Sequence, residues 1–185
     1  MSFGHLPSAA DLTHRVAIEE LLYSHCRGVD RADSDTLKAA YWPEAEVAYG
    51  GYNGPAHPFC EILPESIRRY RATHHQVSNI LIERQGDNAV VESYVTAYHH
   101  QPAGEPTEMT YFGRYVDHMQ LRHETWKILY RHVVMDWNQQ LSESADFVSP
   151  SMAGLAKSGR KPDDPLYVLQ QKLFGNRENT EGEEA

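Results

Sequence analysis

The sequence predicts an α+β fold in which helices come first and a meander of antiparallel strands follows. Two patterns support this prediction. Apolar residues recur at helical spacing near the N-terminus, and four runs between residues 74 and 137 have the composition and alternation of strands. The separators QGDN, PAGEPT and RHE are turn-like, so neighbouring strands pair antiparallel most simply. A length of 185 residues is typical of one main domain.

The helical part is predicted to begin at Ser8, because Ser8 or Asp11 can cap a helix and Gly28 can end it. Its apolar positions at helical spacing are Leu12, Val16, Ile18, Leu21, Leu22 and Cys26. A second short helix is expected over residues 34–42, stopped by Pro43. The run from 45 to 55 predicts a short strand and a glycine-rich turn.

The remaining elements follow from prolines and from alternation. Pro58 and Pro64 predict a loop before a third helix over about residues 64–71. The four predicted strands cover residues 74–84, 88–101, 107–122 and 125–137. These limits give a main domain over residues 8–137. Residues 138–185 then form a C-terminal extension with a polar loop, a short helix in PLYVLQQKLF and a disordered acidic tail.

Composition excludes several classes of function. A net charge of −9 argues against a nucleic-acid-binding surface. No apolar run approaches the roughly 18 residues of a membrane span, and no signal peptide is apparent, so a cytoplasmic protein is expected. Cys26 and Cys60 form neither a disulfide framework nor a CxxC site. Eleven histidines and eleven tyrosines suit a pocket that handles protons and organic ligands, although scattered surface positions would give the same count.

A metal site is not expected from the histidine pattern. His74–His75 and His99–His100 are adjacent pairs, whose members point to opposite faces of a strand, and no HExxH arrangement occurs. Only a cross-strand combination such as His75 with His99 could bring ligands together.

Four motifs in order carry a family resemblance. The segments GVDRADSDTL, THHQVSNILIE, FGRYVDHM and WKILYRHV resemble the SnoaL-like branch of the nuclear transport factor 2 (NTF2)-like superfamily over residues 8–137. The resemblance implies a curved antiparallel sheet forming a cone-shaped half-barrel that the N-terminal helices close. It also implies a small-molecule ligand, no cofactor, and a homodimer or homotrimer formed through the outer face of the sheet.

The resemblance also implies site residues. Scytalone dehydratase, bile-acid 7α-dehydratase and hexachlorocyclohexane dehydrochlorinase in this branch use an aspartate after the first helix and a histidine at the start of the first long strand. Asp30 and His75 match these positions, and Arg131 matches a pocket arginine of the dehydrochlorinase. Five residues before the aspartate, those enzymes carry lysine or tyrosine where this chain has His25. The proton donor must therefore differ.

Elementary chemistry gives these residues roles and alternatives. A carboxylate on one imidazole nitrogen leaves the other as a base, but Asp30 could equally be a turn residue and His75 a core histidine bound to a carbonyl. If His75 faces the interior, His74 faces outward. Arg131 either contacts an anionic group or pairs with an acid such as Asp30.

Further predicted contacts to substrate come from several elements. They are Tyr23, His25, Trp42 and Tyr49 near the helices and first strand, Asn79 on the presumed face of His75 together with Val77 and Leu81, and Tyr94 and Tyr98. Either face of the strand that carries the two tyrosines could look inward, and the opposite face presents Ser93, Val95, Ala97 and His99. In the fold that the resemblance implies, this strand lines the cavity, so Tyr94 and Tyr98 could contact substrate; packing under the helices is the alternative.

The leading functional hypothesis is a cofactor-independent lyase, of dehydratase or retro-aldol (deformylase) type, or an isomerase. It would act on a small cyclic or aromatic compound through an Asp–His dyad. Two alternatives remain open. One is a non-catalytic small subunit of an aromatic-ring-hydroxylating dioxygenase, which has a similar H-x-V-S-N strand, and the other is a ligand-binding protein without chemistry. The extension is expected to cover the cavity mouth or a neighbouring subunit.

Overall fold

The computed structural model describes residues 6–101, 107–142, 145 and 149–175. The chain divides into two compact units, Met1–Glu143 and Ser144–Ala185. Within the described residues, no helix is long and apolar enough to cross a membrane.

Helix α1 spans Ala9–Asp30 and begins at a capping box in which Ser8 and Asp11 bond reciprocally, as the sequence predicts. The prediction that Gly28 ends the helix is wrong. Gly28 is buried inside the helix, where a Cβ atom would lie 3.2 Å from the Leu37 side chain, so glycine permits close packing of the next helix. As a result Asp30 is the last helical residue and is buried.

The apolar face of α1 differs from the predicted one in its first turns. Leu12 and Val16 are exposed, whereas Ile18, Leu22, Cys26 and Val29 are buried. Polar side chains make the contacts with the sheet there instead. Arg15 donates to the Ile80 carbonyl at 3.1 Å, and the Trp126 indole donates to His14 at 3.1 Å. Arg15 and His14, whose side chains have polar ends, therefore contact the sheet where the spacing predicted apolar contacts.

Two predicted helix limits are corrected. Helix α2 spans Ser34–Ala39, and the residues expected to complete it begin strand β1, Tyr41–Tyr49. Strand β2, Tyr52–Pro55, pairs antiparallel with β1 across a turn in which Gly50 has φ 65°. Helix α3 spans Ala56–Ile67 instead of starting near residue 64. Pro58 lies in its first turn, where backbone N–H groups have no partner within the helix, so proline is tolerated there.

The four long strands confirm the predicted meander. They are β3 Ala72–Gln85, β4 Asn88–His100, β5 Thr107–Arg122 and β6 Thr125–Ser142, and each is antiparallel to the next. The six strands form one open, curved sheet in the order β2-β1-β6-β5-β4-β3. Because β1 runs parallel to β6, the sheet is mixed rather than wholly antiparallel. The α+β class is confirmed.

A bulge in β3 changes which residues face the helices. Register passes from Ser78 opposite Tyr94 to Leu81 opposite Glu92, and Asn79 has φ 46°. After this bulge Ile80 and Ile82 pack on the core. The prediction that Asn79 and Leu81 share the face of His75 is therefore wrong, because one inserted residue reverses the alternation.

The core lies between the helices and one face of the sheet, called the inner face here; the opposite face is the outer face. Residues from α1, α2, α3 and strands β1, β4, β5 and β6 form it: Ile18, Leu22, Val29, Leu37, Tyr41, Val47, Phe59, Ile67, Val91, Met119, Trp126 and Ile128 among others. Tyr52 of β2 and Val77, Ile80 and Ile82 of β3 are partly buried against it.

The second unit contains α4, Pro150–Ala153, which the sequence reading assigned to a loop, and α5, Pro165–Phe174, which it predicted. Asp164 caps α5 by accepting from the Leu166 N–H at 3.0 Å. Strand β6 extends past residue 137, the predicted limit of the main domain. The acidic tail predicted to be disordered lies outside the described residues.

Candidate active site

Asp30 and His75 make a two-point contact between the end of α1 and the start of β3. The Asp30 carboxylate lies 2.8 Å from His75 Nδ1 through one oxygen and accepts from the His75 backbone N–H at 2.9 Å through the other. Their side chains are 9% and 6% exposed. Asp30 is thus neither a turn residue bonded only to local backbone nor a partner of Arg131, and His75 Nδ1 pairs with a carboxylate.

The local backbone explains this arrangement. Alternation along β3 turns His75 toward the helices and leaves the His74 side chain exposed on the outer face. Burial alone would raise the pKa of Asp30, but its hydrogen bonds from His75 hold the pKa below its ordinary value. Asp30 is therefore a carboxylate at neutral pH.

The two ring nitrogens of His75 differ in their partners. A carboxylate can only accept, so Nδ1 carries a proton, and in the neutral form of the ring Nε2 keeps its lone pair. No hydrogen bond to Nε2 occurs among the described residues. A neutral imidazole held in this tautomer is a general base aimed away from its carboxylate.

Two polar groups on the inner face of β4 lack good partners, and one of them, His99, lies beside this dyad. The His99 ring packs edge-on against His75, with centroids 5.3 Å apart. Burial and the neighbouring His75 lower the pKa of His99 to about 4. Within the described residues, His99 Nδ1 and the fully buried Ser93 hydroxyl make no hydrogen bond of acceptable geometry. Buried polar atoms left in this state are typical of a place where a ligand binds.

Arg131 belongs to a second, deeper group, called the buried cluster here: Asp117, Arg131, His25, Tyr41 and Tyr115. The guanidinium donates from Nε and Nη2 to the two Asp117 oxygens, each at 2.7 Å. Arg131 is 0% exposed, so the expected ion pair exists, but its partner is Asp117 rather than Asp30. Register explains the choice, because these two residues are directly opposite on β5 and β6.

His25 connects Arg131 to Tyr41. Arg131 Nη1 lies 3.1 Å from both ring nitrogens of His25, and His25 Nε2 lies 3.1 Å from the Tyr41 hydroxyl. The Tyr115 ring covers the guanidinium at 4.0 Å. Burial, Arg131 and His75 together lower the pKa of His25 well below its ordinary value, so this ring is neutral. Burial likewise raises the pKa of Tyr41 and Tyr115.

Of the predicted aromatic contacts, only Tyr49 reaches the inside. Its ring packs 4.7 Å from Phe59, and its hydroxyl bonds to Tyr115. Tyr94 and Tyr98 are 44% and 47% exposed on the outer face, so their assignment to the pocket is wrong. The other face of β4 looks inward because its small and apolar side chains pack better against the helices.

Three further predicted contacts lie away from the dyad. Trp42 points opposite to Tyr41, donates to the Gln120 carbonyl at 3.0 Å and carries Arg122 over its ring. Tyr23 is half exposed on α1, and Asn79 is exposed at the bulge. These positions are corrections to the predicted substrate site.

Sequence reasoning missed Asp117, Tyr41 and the inward position of His99 as site residues. Asp117 is two residues from both Tyr115 and Met119 in a predicted strand, so the three side chains share one face. This pattern indicated an acid that faces inward. Tyr41 was hidden by its assignment to a helix. Within the described ranges, no group of three or more His, Cys, Asp or Glu side chains could hold a metal ion.

The model of the SnoaL-like domain matches residues 10–132, which include all of the dyad and the buried cluster. The chain belongs to the SnoaL-like domain family. A comparison with curated protein sequences gives no significant match.

Solved structures with this fold match nearly their whole length. A candidate scytalone dehydratase from Novosphingobium aromaticivorans is 23% identical, with TM-score 0.64, over 79% of this chain and 97% of its own. Hexachlorocyclohexane dehydrochlorinase LinA-type3 from Novosphingobium barchaimii is 21% identical, with TM-score 0.65, over 75% and 97%. A candidate aromatic ring hydroxylase from N. aromaticivorans is 18% identical, with TM-score 0.62, over 75% and 96%. The TM-scores show that these proteins share the fold of this chain.

Proposed function

We propose that this protein is a cofactor-independent lyase or isomerase that acts on a small cyclic or aromatic compound. In this proposal His75 Nε2 is the general base and Asp30 orients it. The single observation that supports it is the buried dyad, in which the carboxylate binds Nδ1 and the backbone N–H of one histidine. A positioned base of this kind contributes about 10²- to 10⁴-fold in rate.

The proton balance permits two reaction types. In a dehydration, His75 Nε2 removes a C–H proton, the electron pair forms the double bond, and the hydroxyl leaves as water after gaining a proton from an acid. In a retro-aldol cleavage, Nε2 removes the hydroxyl proton, a C–C bond breaks, and the electrons pass to a sink in the substrate. Neither reaction consumes an oxidant or reductant.

The structure changes the choice of acid. His25 and the tyrosines of the buried cluster already have partners. His99 lies beside His75, and its Nδ1 lacks a good hydrogen bond among the described residues. We therefore place His99 next to the substrate, as a neutral group that orients its oxygen atoms.

The first experiment is a screen of hydroxylated aromatic, steroid-like and diarylpropane compounds for turnover without added cofactor. On any compound converted, His75→Ala should lose about 10²- to 10⁴-fold in kcat/KM. His74→Ala is the matched control, because the neighbouring histidine faces outward, and it should keep full activity. Full activity in a folded His75→Ala protein would refute the proposed base.

A second candidate function is that of a structural small subunit in an aromatic-ring-hydroxylating complex. It is favoured by the exposed aromatic residues of the outer face, Tyr94, Tyr98, Tyr130 and Trp137, and by the likeness to a candidate ring hydroxylase. Such a face suits contact with another chain. Mass measurement on the protein purified from its own cells separates the cases: a homodimer or homotrimer supports the enzyme, and a stable larger partner supports the subunit.

A further inference from the structure

The Arg131 guanidinium has the donors of an anion receptor, but its charge is already answered inside the protein. Its Nε and Nη2 donate to Asp117, its Nη1 reaches His25, and one face of its plane lies against the Tyr115 ring. Both Arg131 and Asp117 have fully buried side chains. An arginine is always protonated in a protein, so the doubly bonded Asp117 is its counter-ion.

His25 completes the neutrality of the buried cluster. An arginine can only donate, so the nitrogen of His25 that faces Nη1 must accept. Only one arrangement gives both ring nitrogens a partner. In it Nδ1 accepts from Arg131, and Nε2 carries the proton and donates to the Tyr41 oxygen. The cluster then holds one positive charge, one negative charge and a neutral imidazole.

The cluster and the dyad each include one residue from the C-terminal part of α1. His25 and Asp30 both lie on the last two turns of α1, and both side chains are buried. A guanidinium without its counter-ion at this place would attract a carboxylate or halide into the site. It would also oppose the positive charge that His75 acquires when it takes a proton.

We propose that Asp117 is a positioning residue that makes this end of the site unreceptive to anions, so that the substrate presents an uncharged hydroxyl or carbonyl group here. The substrate class rests on the function proposed above. The neutralisation itself does not depend on any turnover. Arg131 then serves to fix the tautomer of His25 rather than to bind a carboxylate or a departing halide.

The test removes the charge of Asp117 while keeping its shape. Asp117→Asn should lower the Tm and should make it respond to sodium formate, because formate can supply the missing negative charge. Its Tm should rise by a few degrees more than that of the wild type at equal formate concentration. The matched control is Asp136→Asn, which removes the exposed carboxylate that pairs with Arg114 and should respond as the wild type does.

Two results would overturn the proposal. The wild type could gain as much from formate as Asp117→Asn does, which would mean that Arg131 already accepts anions. Alternatively, Asp117→Asn could fold and show no added response to formate.

A second measurement needs only the wild type, so it decides the matter even if Asp117→Asn does not fold. Nitrogen-15 shifts of the His25 ring should show an unprotonated Nδ1 and a protonated Nε2 from about pH 5 to 9, as expected for a buried neutral imidazole. A protonated Nδ1, or a ring that titrates in this range, would contradict the assignment. Both readouts are independent of catalysis, so a failed substrate screen would leave this inference standing and remove only the proposed reaction.

Discussion

Two buried carboxylate pairs, Asp30–His75 and Asp117–Arg131, leave different amounts of hydrogen-bonding capacity unused. The Asp30–His75 dyad uses one nitrogen of its imidazole and leaves the other without a partner among the described residues. In the buried cluster, Asp117 and His25 occupy three of the nitrogens of Arg131 with hydrogen bonds, and its side chain is fully buried. The difference lies in the unused hydrogen-bonding capacity, not in the residue types. An imidazole with a free nitrogen can do chemistry, whereas a saturated network holds a shape.

The largest expected effect on activity comes from disturbing the Asp30–His75 dyad. Asp30→Asn should leave the fold intact but allow the wrong tautomer of His75, lowering kcat/KM by about 10²- to 10⁴-fold. Asp33→Asn is a matched control, because Asp33 is equally buried nearby but caps α2, a role that asparagine also fills. Kinetics and Tm measured on both variants check this. Equal activity losses in the two would indicate a general structural effect.

Disturbing the Asp117–Arg131 pair should have the larger effect on stability. Arg131→Gln strands the buried Asp117 carboxylate and should lower the free energy of unfolding by about 3–5 kcal/mol. Arg114 forms comparable pairs with Glu92 and Asp136 at a partly exposed position, so Arg114→Gln should cost no more than about 1 kcal/mol. Urea titration of the two variants makes the comparison. A small loss for Arg131→Gln would show that the cluster adds little to folding.

Low pH should destabilise the protein through two neutral histidines, His99 and His25. The pKa of His99 is about 4 against an ordinary 6.5, and the pKa of His25 is lowered too, so the unfolded chain binds more protons between these values. Stability should therefore be complete above pH 6.5 and should fall as the pH drops toward 4, with His99 contributing roughly 2–3 kcal/mol. His99→Gln should flatten this slope in denaturant titrations at several pH values. An unchanged slope would contradict the burial argument.

The smallest expected effect concerns the bulge that sets the inner face of β3. Asn79 has φ 46°, a conformation that glycine adopts without strain and that alanine disfavours by about 1 kcal/mol. Asn79→Ala should therefore destabilise by about that amount, and Asn79→Gly should be close to neutral. Both variants should keep full activity, because the Asn79 side chain is exposed and takes no part in the dyad. Lost activity in both would restore Asn79 as a site residue.

The apolar patterns predicted the meander and the first helix. The family resemblance predicted that Asp30 and His75 belong to one site. They did not predict the partner of Arg131, because the choice of Asp117 depends on register across two strands. The wrong face for Tyr94 has a similar origin. A strand with tyrosine on one side and Ser93, Ala97 and His99 on the other has no clear apolar side. Asn79 was misplaced because a bulge leaves only a faint mark in a sequence.

The parallel pairing of β1 with β6 sets the order in which the chain can assemble. β1 carries Tyr41, and β6, the last strand of the sheet, carries Arg131, so these neighbours in space are far apart in the chain. Contacts of such long range form slowly, because a large loop must close before they are gained. Strands β3 to β5 can pair as hairpins while the chain is still being synthesised. The buried cluster, by contrast, cannot form until Arg131 on β6 is available, so a chain truncated before that residue would have the β3–β5 hairpins without the cluster.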